Sequence, residues 1–207
     1  MSQNKQEKFY VVKVGRKPGI YKTWDECKKY THKYSGAKFA SFSTLEEAAK
    51  YMASNTSVRN QQPVKIPSEG YIAYVDGSYD IKTKRYSCGV VILHNSKVIH
   101  TISEIGPKSE SSSTRNIAGE ILGSIRAVQY ALEHKFDKLA IVHDYAGLAE
   151  WANGNWKTNL PLTKEYAEFI RTSRSRCSIK FYKVKGHSND KYNDMADQLA
   201  KNALGIS

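Results

Sequence analysis

A run of five apolar or aromatic residues, Tyr71-Ile-Ala-Tyr-Val75, closes on a carboxylate, Asp76. Such a run reads as a strand buried on both faces, and a charge at its end is unfavourable unless something compensates it. Period-two alternation puts Asp76 on the face of Ile72 and Tyr74, toward the core layer. Gly77 and Ser78 are expected to turn the chain. Residues 86–93 and 97–105, separated by His94-Asn95-Ser96, then complete a three-stranded antiparallel meander. From this stretch alone, Asp76 reads equally as a turn residue ending a strand or as a functional acid.

The arrangement recurs downstream. Leu139-Ala-Ile-Val142 is a further apolar run, followed by His143-Asp144. Between them, residues 114–135 carry Ile117, Ile121, Ile125, Val128 and Leu132 at helical spacing. Glu120 falls at the border of that stripe, as either a surface glutamate or an acid leaning over the sheet. Gly119 and Gly123 each cost roughly 1 kcal/mol relative to alanine in a helix, which implies close packing against another backbone. Helices are expected over about 145–152 and 162–173, a strand over 178–184, and a Gly/Ser loop over 185–192. The last helix, 193–204, is expected to bury Met195, Ala196, Leu199 and Ala203. Asp194 and Asp197 then fall on its opposite face, where a solvated Asp197–Lys201 pair is the simplest reading.

Charge divides the chain. Of 32 Lys and Arg against 20 Asp and Glu, residues 1–52 hold 11 and 5, so a quarter of the chain carries half of the net charge of +12. That excess favours a polyanionic partner. In this part, strands at 9–14, 20–21 and 37–42 and helices at 24–30 and about 44–52 make a small α/β module. Tyr10, Trp24 and Phe39 lie among Lys13, Arg16, Lys17, Lys22 and Lys38. Aromatics among cations suit nucleic acid, although Trp24 and Phe39 would also serve as the core of so small a unit. Residues 53–69, with two prolines and little apolar pattern, read as a linker between domains at 1–52 and 70–207. The three cysteines, Cys27, Cys88 and Cys177, have no CxxC spacing, which fits a reducing compartment and excludes a disulfide framework or zinc site. With no apolar run near 18 residues and a polar N-terminus, neither a membrane span nor a secretory signal is expected, and the cytoplasm is the default.

Residues 9–27 with Ala37-Lys-Phe-Ala-Ser-Phe42 resemble the hybrid-binding domain of type 1 ribonucleases H and of viroplasmin. In that family, aromatics at the positions of Tyr10, Trp24 and Phe39 grip an RNA/DNA hybrid. Two lysines that often follow the phenylalanine are Ala40 and Ser41 here, which implies weaker phosphate contact, offset by Lys38 and Lys22. Residues 71–204 resemble the type 1 ribonuclease H catalytic domain through Tyr74-Val-Asp-Gly-Ser78, Arg115-Asn-Ile-Ala-Gly-Glu120, Val142-His-Asp144, Lys185-Gly-His187 and Asn193-Asp-Met-Ala-Asp-Gln-Leu-Ala200. The resemblance implies a ribonuclease H-like five-stranded mixed sheet flanked by helices. It also implies catalytic, metal-binding carboxylates at Asp76, Glu120, Asp144 and Asp197, with Asp194 as the alternative to the last.

The same resemblance makes His187 a proton-moving residue rather than a plain surface histidine, and Thr114, Arg115 and Asn116 substrate contacts. Clustered carboxylates need balancing charge, which two Mg²⁺ ions, or Mn²⁺ in their place, supply with the oxygen ligands such ions prefer. The implied reaction is hydrolysis of the RNA strand by in-line attack, leaving 5′-phosphate and 3′-hydroxyl ends. The expected partner is an RNA/DNA hybrid, with double-stranded RNA a further one for the N-terminal module, and the chain is expected to act as a monomer. Relatives with a lysine-rich protrusion after the position of Trp151 find no counterpart here, so the N-terminal module is expected to supply that affinity. A DNA nuclease of the same superfamily and a non-cleaving hybrid-binding protein are the competing readings.

Overall fold

The central strand of the larger sheet, β4 (Tyr71–Asp80), runs through Asp76 rather than ending there. The computed structural model describes residues 8–34, 37–53, 65–107, 115–184 and 190–206. Gly77 and Ser78 do not turn the chain: they pair with Cys88 and Ser87 of β5 (Arg85–His94). The turn comes at Asp80, whose carboxylate accepts hydrogen bonds from the Lys82 and Thr83 amides and the Thr83 hydroxyl. The strand continues, and a helix crosses it closely at Gly77. A Cβ built on Gly119 would stand 2.8 Å from the Gly77 Cα and 2.1 Å from the Ser87 carbonyl oxygen.

The second hairpin turn lies at Asn95 and Ser96, both with positive φ, as a two-residue connection to β6 (Lys97–Ile105) requires. Two parallel strands, β7 (Lys138–His143) and β8 (Ser178–Lys183), complete the sheet in the order β6-β5-β4-β7-β8. This is the mixed five-stranded sheet that the sequence leads one to expect. On one face lies α3 (Arg115–Glu133), backed by α4 (Gly147–Ala152) and α5 (Pro161–Ser173), over Ala73, Val75, Val90 and Ile92. On the other lies α6 (Lys191–Leu204), over Ile72, Tyr74, Val91 and Leu93.

The phase of α6 differs from the expected one. Asn193, Ala196 and Ala200 are its buried residues, whereas Met195 is 36% exposed. Tyr192 and Leu199 pack at its sides, but the closest approach to the sheet is made by small residues. Gly89 of β5 leaves room for the helix backbone, since a Cβ there would meet the Ala196 carbonyl oxygen at 1.9 Å. The Ser87 and Ser103 hydroxyls then donate to the Ala200 and Leu199 carbonyls at 2.5 and 2.7 Å. Rotated this way, α6 carries Asp197 to the edge of its buried face.

The N-terminal module has its own antiparallel sheet, ordered β2 (Gly19–Tyr21), β1 (Phe9–Val14), β3 (Lys38–Phe42). Helix α1 (Trp24–Thr31) starts on an N-cap, with the Thr23 hydroxyl accepting from the Glu26 amide at 3.3 Å. Its Cys27 packs on Val12 and Tyr21 of the sheet. Helix α2 (Leu45–Ala53) starts likewise on Thr44 and covers the opposite face of the sheet, where Phe9, Val11 and Ile20 point. That face joins the larger unit: Leu45, Ala48 and Met52 share one buried cluster with Leu148, Trp151, Trp156 and Leu160. A β-bridge between Gly19 and Lys157 and a hydrogen bond from the Asn159 side-chain amide to the Ile20 carbonyl clasp the two together.

Candidate active site

Asp76 lies near the middle of β4, Glu120 in the second turn of α3, and Asp144 immediately after β7. Each offers a carboxylate oxygen, and these oxygens all lie within 4.8 Å of one another. Asp197 lines the same cavity of about 520 Å³ and is held by Lys201 at 2.8 Å. It stands beside the trio, close enough for its charge to act on Asp76. The pair with Lys201 that the sequence suggested therefore exists, but at the cleft rather than on a face remote from it. Asp194 is exposed and is not among the lining residues.

The acids repel one another, with Glu120 buried and Asp76 and Asp144 half-buried. Burial above all, and then the charge of Asp144, pushes Asp76 up to about 7, although the Gly77 amide donates to its Oδ1 at 2.7 Å. Glu120, 5% exposed, is driven well above the usual carboxylate range by burial and then by Asp144 and Asp76. Its Oε2 is buried with no hydrogen-bond partner among the described residues. Oxygen-only donors, converging charge and an orphaned buried oxygen are what a hard divalent cation would satisfy. The trio fits such an ion.

Beside it, the His143 ring is buried, with Nδ1 against the Tyr145 carbonyl oxygen at 2.8 Å, and burial lowers its pKa to about 4. The ring is thus neutral, and it fixes the backbone that presents Asp144.

In the N-terminal module the three aromatics form a contiguous strip. Ring centroids are 6.0 Å apart for Tyr10 and Trp24 and 5.6 Å for Trp24 and Phe39. At 42% and 44% exposure, Trp24 and Phe39 are surface residues and not the module's core. Lys38 next to them is exposed. Arg115 opens α3 in an exposed position. Thr114, the Asn116 side chain and His187 lie outside the described residues.

One wall of the cleft left no sign in the sequence. Glu46, Ala49, Lys50 and Ala53 of α2 face the acids, together with Tyr145 and Lys183. The last two adjoin sequence motifs and were open to being found; the α2 residues depend on how two units pack.

Comparison with known proteins accords with this geometry. The model for the Ribonuclease H1 N-terminal domain matches residues 8–52, and the RNase H model matches residues 68–205. A ribonuclease H from Crithidia fasciculata is 51% identical over 47 residues, which are 23% of this chain and only 10% of that protein's length. One from Schizosaccharomyces pombe is 25% identical over an alignment covering 97% of this chain and 98% of the relative. Among solved structures, LC11-RNase H1 in complex with an RNA/DNA hybrid has a TM-score of 0.53 at 18% identity, over 65% of this chain and 99% of that one. Likeness at that identity speaks for the fold. The RNase H match alone takes in more than half of the sequence and includes every one of the four acids, and the chain belongs to the RNase H family.

Proposed function

We propose that this protein hydrolyses the RNA strand of RNA/DNA hybrids, with Asp76, Glu120, Asp144 and Asp197 as its catalytic carboxylates. The observation that carries the reading is the meeting of Asp76, Glu120 and Asp144 oxygens within 4.8 Å on the segment that matches the RNase H model. The hybrid bound in the LC11 relative's structure supports the substrate class.

Asp76, Glu120 and Asp144 would hold two Mg²⁺ ions, with Asp197 completing the ligand set and Mn²⁺ an acceptable substitute. When bound, the ions supply Lewis acidity toward the scissile phosphate and balance the charge of the attacking and departing oxygens. The chain's own contribution is to hold these oxygens in place. The Gly77 amide orients Asp76, the Tyr145 amide orients Glu120, and Lys201 restrains Asp197. His187 relays the proton that the departing 3′-oxygen takes up, so that the products carry 5′-phosphate and 3′-hydroxyl ends.

Phosphates are common to both strands, so RNA is chosen through 2′-hydroxyl contacts. We assign Thr114, Arg115 and Asn116 as substrate contacts. Tyr10, Trp24, Phe39 and Lys38 grip the hybrid, and double-stranded RNA is a second ligand of the same strip. On this reading residues 1–52 are the hybrid-binding domain, 53–69 the connection and 70–207 the catalytic domain. The protein works as a monomer in the reducing cytoplasm, in keeping with three free buried cysteines. Among the described residues, no helix is long and apolar enough to cross a membrane.

The test is cleavage of end-labelled RNA/DNA hybrid, double-stranded DNA and double-stranded RNA with and without Mg²⁺, using Asp76→Asn as control. Metal-dependent cutting of the RNA strand in the hybrid alone is expected. Cutting of all-DNA duplex would assign the chain to DNA, and binding without cutting would make it a tether.

A further inference from the structure

Helix α2 belongs to the N-terminal module, yet one side of it faces the acidic cleft. Glu46, Ala49, Lys50 and Ala53 follow the i, i+3, i+4, i+7 spacing of a single helix face, and all four line the cavity that holds Asp76, Glu120, Asp144 and Asp197. Glu46 is near enough for its charge to disfavour the ionised forms of both Glu120 and the Tyr145 phenol. The neighbouring side of the helix, Leu45, Ala48 and Met52, is anchored in the shared core.

Over the acids a space of about 520 Å³ remains, open to solvent but bounded on one side by α2, whereas a nucleic-acid duplex needs a groove along which its backbone can lie. The charge on α2 is also wrong for a phosphate channel. Such a channel is lined by cations, whereas α2 offers Glu46 paired with its own Lys50 at 2.8 Å, which leaves no net positive charge. Meanwhile Tyr10, Trp24 and Phe39 sit on the α1 side of the small sheet, opposite the side that α2 covers. Tyr10 alternates along β1 with Phe9 and Val11, which point toward α2, and Phe39 pairs with Val12, which points toward α1. The aromatic strip is open, while the cleft has α2 as one wall.

We propose that α2 is a removable cover over the cleft, and that the docked arrangement is a closed resting form which an arriving hybrid must displace. The proposal rests on the cleft being catalytic. The cover is held by the Gly19–Lys157 bridge, the Asn159 to Ile20 hydrogen bond, and the shared apolar cluster in which Phe9, Ile20, Leu45, Ala48 and Met52 meet Trp151, Trp156 and Leu160. Capture on the aromatic strip can therefore come first and uncovering second, so that in the absence of hybrid a single strand meets a cleft walled by α2.

The experiment uses the full chain. Removing the Asn159 hydrogen bond to Ile20 and the Lys157 ammonium contact with the Tyr21 ring, 5.1 Å away, by Asn159→Ala and Lys157→Ala together is expected to raise kcat/KM on a short hybrid at least threefold in the folded protein. In parallel, hydrogen exchange is followed at the α2 amides of the Asp76→Asn protein, which keeps added hybrid intact. Exchange there is expected to quicken at least threefold when hybrid is added. An unchanged or lower kcat/KM in a folded clasp variant, or slowed or unchanged α2 exchange, overturns the cover. If the clasp variant does not fold, the exchange result decides. If the wild-type protein cuts no hybrid at all, the hydrolase reading fails instead, and exchange still reports on the cover.

Discussion

Asp76 and Gly89 face each other across the β4–β5 pair, and the glycine is what lets a fourth carboxylate reach the site. With no side chain at position 89, the backbone of α6 settles against the strand at Ala196, and the next residue along the helix is Asp197. The charge of Asp197 is then felt at Asp76.

Gly89→Ala tests that relationship. Its Cβ would stand 1.9 Å from the Ala196 carbonyl oxygen and 2.7 Å from the Ala200 amide nitrogen, both backbone atoms that cannot rotate away. The helix has to move outward. Denaturant titration should show a loss of about 1–3 kcal/mol, the usual cost of overpacking. Cleavage should fall by more than the stability loss explains, because Asp197 moves with the helix.

Asp76→Asn should separate stability from activity. Burial and Asp144 both work against the charge at position 76, so a neutral isostere relieves a strain that the apo protein carries. At pH 8 without metal, the variant should unfold at a higher temperature than the wild type. On labelled hybrid with Mg²⁺, it should lose roughly 100-fold or more in kcat, on the scale of removing one charge-stabilising group from an active site.

Apo stability should decline with rising pH across the acid cluster. The folded-state value of Asp76, about 7, lies above its ordinary 3.8, so the folded protein binds the proton more tightly than the unfolded chain. The extra stability is complete below about pH 4 and is lost as pH rises through about 7. At about 1.4 kcal/mol per unit of displacement, the loss amounts to some ~1–4 kcal/mol in metal-free buffer. Urea melts at pH 5 and pH 8 measure it. Because a divalent cation binds the ionised folded form, 10 mM Mg²⁺ should restore stability at pH 8 and do little at pH 5.

Trp24→Ala and Phe39→Ala should each weaken hybrid binding by about 1–3 kcal/mol, the cost of losing one stacking platform. Because both side chains are more than 40% exposed, Tm should barely move. Fluorescence-anisotropy titrations would show the loss in Kd, while kcat at saturating hybrid should hold.

Local pattern made much of this molecule legible. The apolar runs ending near Asp76 and Asp144, the Ile117–Ile121–Ile125 stripe and the capping threonines locate strands and helices because alternation, helical spacing and caps are properties of neighbouring residues. Even the glycine in α3 announced a close approach, which proved to be against Gly77 and Ser87. Where pattern failed, the contact was with distant chain. Hydrophobicity set the phase of α6 by its large residues, but the helix is seated by Ala196 and Ala200 on a strand glycine, and this is why Asp197 faces the cleft rather than solvent. Gly77 looked like a turn and is a crossing point within a strand.

By itself the sequence determined which acids exist, which elements carry them and which family they belong to. Only the tertiary structure decided that three of their oxygens converge within 4.8 Å, that burial raises Asp76 and Glu120, and that α2 of another module walls the cleft. Desolvation and charge repulsion depend on what surrounds a group in space, and residues 46 and 120 become neighbours only once two separately patterned units have packed together.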